Sequence, residues 1–147
     1  MKRLTHALFG MGISLFVMSR FGEFDQLMIA YSLVFSIFPD LDLSMKHRSA
    51  LHNVFSALAI TSIAAYLSNP LIFSWGLTTM PWIPFFFSSA IAYLSHIFLD
   101  LLTKSGVALF WPISEKMFRL TSIRYDNRAA NFFFSLTGAL LILFALV

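Results

Sequence analysis

Long apolar runs separated by short polar interruptions dominate the chain, and their lengths invite comparison with the thickness of a bilayer. A helix needs about 20 largely apolar residues to cross the hydrocarbon core. Five runs approach that length: 4–19, 24–38, 49–67, 81–102 and 129–147. They predict an all-α fold, a polytopic membrane helical bundle of about five transmembrane helices in a single domain spanning 1–147. The second run is short and begins beside Glu23 and Asp25, which predicts a tilted helix or a locally thinned bilayer. The apolar stretch 69–80 is broken by Pro70 and Gly76 and reads as an interfacial or re-entrant connection. Residues 104–128 form the long polar segment. The opening MKRLTHALFGMGISLF has the outline of a secretory signal, but Arg20 after the small-residue site and His6 inside the apolar stretch predict a retained helix.

Composition sharpens this picture. Of 147 residues 59% are hydrophobic and 12% charged, against about 25% charged in soluble domains, which excludes a soluble globular protein and a disordered one. The mean hydropathy of +0.80 points the same way. Without cysteine there is neither a disulfide framework nor a thiolate metal site. The net charge of +3 comes from basic residues spread too thinly for a phosphate-tracking stripe, so no nucleic-acid partner is expected; membrane lipid is.

If all five runs span, every Lys and Arg except Arg20 falls on the side of the N-terminus. The positive-inside rule then predicts a protein integral to the cytoplasmic (inner) membrane, N-terminus cytoplasmic and C-terminus outside. Trp75 and Trp82 would mark the outer interface and Trp111 the cytoplasmic one.

The chemistry-bearing residues gather on that same cytoplasmic side. His6 opens the first run, Asp40 and Asp42 close the second in FPDLD, His47 and His52 bracket the start of the third in HRSALH, and His96 and Asp100 end the fourth. Ionisable groups within reach of lipid are costly unless paired or coordinated, so their common depth predicts that they converge. His96 and Asp100, spaced i, i+4, share a helical face, which suits either one shared ion or an intrahelical hydrogen bond. An extended turn after Pro39 would point Asp40 and Asp42 the same way, and Asp42 alternatively serves as a cap. Ser49 is the expected N-cap of the third helix, with His52 on its first turn. His47 lies in the loop, facing substrate or the interface. Arg48 either clamps a phosphate or carboxylate or snorkels to lipid.

Imidazoles and carboxylates without sulfur suit zinc, manganese or iron. The candidate ligands are His6, Asp40, His52, His96 and Asp100, enough for one or two divalent ions, with Asp42, His47 and Arg48 as candidate catalytic residues. A metal-bound water with a pKa lowered to about 7 would supply a hydroxide at the membrane surface.

FPDLD, HRSALH, AYLSHIFLDLLTKSG and VALFWP, in this order, resemble the YdjM-like family of LexA-regulated, inner-membrane-associated metal-dependent hydrolases. The resemblance runs from THALFG to about Asn127. It implies a metal site at His6, Asp40, Asp42, His47, His52, His96 and Asp100, and roles for Thr103, Gly106 and the turn Phe110, Trp111, Pro112. The chain departs from the family pattern at Leu43 and Ser44, at Ser49, Leu51 and Asn53, and at Ala130, where a glutamate is usual.

Together these readings favour a membrane-bound metal-dependent hydrolase acting at the cytoplasmic leaflet on a lipid-linked or amphipathic ester, phosphoester before carboxylester. The cations Lys104, Lys116, Arg119, Arg124 and Arg128 motivate phosphate, although positive-inside bias alone accounts for them. The alternatives are a divalent-metal transporter or sensor without hydrolysis, whose site would be expected nearer the midplane, and a purely structural polar cluster.

Overall fold

A computed structural model describes residues 1–22, 25–44, 50–74 and 82–147, with backbone alone at 42–44 and 68–74. Within these, five α-helices and one 3-10 helix follow in chain order: α1 (Arg3–Arg20), α2 (Gln26–Ile37), the 3-10 helix (Phe38–Ser44), α3 (Val54–Ser74), α4 (Trp82–Leu101) and α5 (Arg128–Leu146). No strand occurs among the described residues; isolated bridges join Thr103 to Ile123 and Val107 to Phe118.

Local chemistry sets the helix ends. Asp25 caps α2 by accepting from the Leu27 amide at 2.8 Å, and Asn127 caps α5 by accepting from Ala130 at 2.9 Å. Phe38 keeps right-handed helical dihedrals (φ −54°, ψ −41°), but Pro39 has no amide hydrogen to continue the ladder, and α2 gives way to the 3-10 helix at Phe38. That backbone corrects the expected extended turn and removes the reason for Asp40 and Asp42 to point together. The start of α3 is also corrected. Residues 50–53 are turn, the helix begins at Val54, and Asn53 rather than Ser49 supplies the cap, accepting from Ser56 N at 2.8 Å. His52 therefore precedes the helix. At its other end α3 continues through Pro70 to Ser74, so 69–74 are helical rather than a separate connection; 75–80, with Trp75, lie outside the described residues.

Helices consecutive in the chain alternate in direction. Thr5 meets Asn131 near the starts of α1 and α5, and Arg20 reaches Phe144 O near their ends, so these two run parallel. Ser14 bonds to Ser88 and the His6 ring stacks on His96, so α4 runs against α1. The α4 helix is central, packing on α1, α2 and α3 and burying Ala92, Tyr93, Ile97 and Leu99. The α5 helix rests on α1 through glycine contact. A Cβ on Gly12 would lie 2.8 Å from Gly138 Cα, and one on Gly138 would lie 2.6 Å from Phe9 N. Small residues permit such close backbone approach in membranes. The opposite flank of α5 exposes Phe132, Phe133, Leu136, Leu140, Leu143 and Phe144.

Two helices, Trp82–Leu101 and Arg128–Leu146, are long and apolar enough to cross a membrane, whereas Gln26–Leu41 and Val54–Leu67 are shorter apolar stretches. Among the described residues, these two of the five expected spans meet the requirement, so a five-span bundle is not established. The α1 helix carries an arginine at each end with Thr5, His6, Gly10, Gly12, Ser14 and Ser19 between, which dilutes its hydropathy.

Candidate metal centre

The alternating directions bring the start of α1, the 3-10 helix after α2, the turn before α3 and the end of α4 to one end of the bundle. His6, Asp40, His52, His96 and Asp100 meet there. Asp100 is the hub. Its Oδ1 lies 3.2 Å from His6 Nε2, and its Oδ2 lies 3.4 Å from both His52 Nε2 and His96 Nε2. Asp40 closes the other side, with Oδ1 at 3.7 Å from His96 Nε2. His6 and His96 stack with ring centroids 3.8 Å apart, and His52 meets His96 edge-on at 5.3 Å. His6, His52 and His96 are buried.

The deciding feature is the tautomer of His96. Its Nδ1 lies 2.7 Å from the Ser36 carbonyl, which can only accept, so in the tautomer able to bind a metal Nδ1 carries the ring hydrogen. The buried Nε2 then presents a lone pair toward two carboxylates and makes no hydrogen bond. Lone pair against carboxylate is repulsive in a dry site, and either a proton on Nε2 or a metal ion between the groups relieves it. A backbone carbonyl fixing the far nitrogen of an imidazole is the usual support of a metal-binding histidine. Spacing agrees: donors around a tetrahedral ion with bonds of about 2.0–2.2 Å lie about 3.3–3.6 Å apart, and the four separations above run from 3.2 to 3.7 Å. The donor set therefore fits a divalent metal. The Met1 ammonium also enters the cluster, 2.9 Å from Asp100 Oδ1 and 2.9 Å from His6 Nε2, where a positive charge is favoured.

Two ligand triads can be drawn, His6 with His96 and Asp100, and Asp40 with His52 and His96. Both need His96, whose single bare nitrogen serves one ion. The two triads as drawn therefore exclude each other.

Residues 1–147 match the family described as YdjM inner membrane protein. The chain belongs to this family. No curated protein and no solved structure matches it. Membership makes it an inner membrane protein, in keeping with the two helices long and apolar enough to span.

Of the remaining expected site residues, His47 and Arg48 lie outside the described residues, and Asp42 is described by its backbone alone. Thr103 and Gly106 have conformational parts. Thr103 Oγ1 donates to Asp100 O at 2.8 Å, and Gly106 has φ +68° with Phe118 O where a side chain would begin. In the polar segment Lys104, Lys116, Arg119 and Arg124 are exposed. Arg124 forks onto Asp126 at 3.1 and 3.0 Å, and that hydrogen-bonded pairing holds the Asp126 carboxyl below the usual range.

Sequence reasoning missed two supports. Asn131, next to the departure at Ala130, accepts from Lys2 N and Thr5 Oγ1 at 2.9 and 2.8 Å and donates to Tyr125 O and Asn127 O at 2.8 and 2.7 Å. It thereby pins the turn of α1 that carries His6. Tyr93, fully buried, donates to Leu51 O at 2.7 Å and holds the residue beside His52. Their signal was a polar atom within an otherwise apolar run.

Proposed function

We propose that this chain is a membrane-bound metal-dependent hydrolase that cleaves a lipid-linked or amphipathic phosphoester at the cytoplasmic leaflet. The observation that carries the reading is the bare His96 Nε2 directed at Asp100 and Asp40 in a buried cluster. His6, His52, His96 and Asp100 would hold one divalent ion, zinc or else manganese or iron, with Asp40 as a further ligand or as base. When bound, such an ion polarises a phosphoryl oxygen and acidifies a water.

The chain's own residues do the rest. Ser36 O fixes the ring of His96, and the ring of His6 stacked on it excludes water from that side. Asp40 is the carboxylate of the cluster that borders a groove, and it takes the proton of the attacking water. As the water oxygen bonds to phosphorus and the ester P–O bond breaks, the proton passes to the departing alkoxide. Asp42, His47 and Arg48, which follow Asp40 in the chain, are proposed to orient the water and to neutralise the phosphate.

Protein loaded with zinc or manganese should release phosphate from phosphatidic acid in mixed micelles, and Asp40→Asn should slow release about 10²–10⁴-fold while metal stays bound. Bound metal without phosphate release, accompanied by metal uptake into proteoliposomes, would refute hydrolysis in favour of transport.

A further inference from the structure

A groove of about 240 Å³ opens beside the metal centre, lined by Arg3, Val34, Ile37, Phe38, Asp40 and Leu41. Its two ends differ in chemistry. Val34, Ile37 and Leu41 make an apolar wall and remain exposed at 49%, 38% and 61%. They lie on α2 and the 3-10 helix and form an exposed apolar flank in a chain of an inner-membrane family. The other end is charged. Asp40 and Arg3 line it together, Arg3 Nε 3.9 Å from Asp40 Oδ2 as an ion pair too long for a hydrogen bond, while Asp40 Oδ1 lies 3.7 Å from His96 Nε2. The Arg3 side chain is 76% exposed, so most of its donor fork is available.

We propose that this groove is a lateral entry site for one phosphate-headed membrane lipid, with an acyl chain along Val34, Ile37 and Leu41 and the headgroup held by Arg3. The assignment rests on the metal-centre reading and adds the substrate's route and its anchor. Charge complementarity selects the headgroup. A guanidinium fork matches phosphate oxygens in pairs, and a phosphate has oxygens left to face the metal position across Asp40. A fatty-acid carboxylate, once gripped by Arg3, has none. Continuity selects the tail, because the apolar wall runs from the exposed flank of α2 to the acid of the site without a polar interruption among its described lining residues.

Binding without turnover provides the test. Protein in phosphatidylcholine nanodiscs doped with a few per cent of phosphatidic acid in its phosphonate form, which hydrolysis cannot consume, is released into native mass spectrometry, and metal per chain is measured on the same samples. One phosphatidic acid per chain should be retained. Arg3→Glu should reduce that retention at least about tenfold, and Arg3→Lys should reduce it less, since Lys keeps charge without the fork. Ile37→Trp, which fills the groove from an exposed position, should abolish retention of any lipid at that site. Metal content should be unchanged in all three, which shows that the fold and the centre survive. Equal retention of oleate and phosphatidic acid, or wild-type retention by Arg3→Glu and Ile37→Trp, overturns the assignment. If every sample lacks metal, the hydrolase reading fails, while lipid retention still decides the groove.

Discussion

Replacing Asn131 by Ala tests whether the candidate site depends on a polar clamp remote from its ligands. Asn131 makes four side-chain hydrogen bonds tying α5 to α1 and to the preceding turn. The bond to Thr5 Oγ1 is fully buried, and Thr5 would keep only the longer contact from Ser135 at 3.2 Å. Its loss costs about 1–3 kcal/mol as a desolvated group left poorly satisfied. The other three bonds are partly buried, so water recovers some of their worth, and Asn127 O keeps the Asn131 amide at 3.0 Å. At about 0.5 kcal/mol each they bring the expected destabilisation to about 2.5–4.5 kcal/mol. Equilibrium unfolding in mixed detergent micelles measures it. Because the clamp holds the turn bearing His6, zinc affinity by competition with a chelator should fall about 10–100-fold, as for the removal of a support behind a ligand. A destabilisation below about 0.5 kcal/mol with unchanged zinc affinity would refute the reasoning.

Other consequences follow from the same geometry. Asp100→Asn should abolish metal binding at micromolar zinc, because the one carboxylate faces all three buried histidines; equilibrium dialysis reads it. Tyr93→Phe removes the bond to Leu51 O and should cost about 1 kcal/mol, with a several-fold loss of zinc affinity through the turn carrying His52. Gly138→Val should separate α5 from α1, since the new Cβ meets Phe9 N and other α1 backbone that cannot yield; unfolding at least about 2 kcal/mol easier is expected in the same micelle assay.

The sequence was legible where apolar length carried the message. Segments 4–19 and 81–102 became α1 and α4 almost unchanged, and i, i+4 spacing placed His96 and Asp100 on one face. It was less legible where local chemistry competes. Ser49 and Asn53 are both good caps, and the chain uses the later one, where Asn53 Nδ2 also reaches Ala50 O and Ser56 Oγ. Pro70 reads as a breaker, yet α3 passes it, as helices in apolar surroundings can. Periodicity could not reveal that Ser36, an unremarked hydroxyl residue, contributes its carbonyl to fix His96. Nor could spacing show that Asn131, in the last helix, governs the first.

The cluster around His96 is proposed to hold one divalent metal. Elemental analysis of purified protein, with the ratio of metal to chain, tests it most directly. One equivalent of zinc, manganese or iron is predicted for the wild type, falling below about a tenth for His96→Ala. A wild-type chain that carries no metal after exposure to all three ions, while folded with His96 and Asp100 intact, would contradict it.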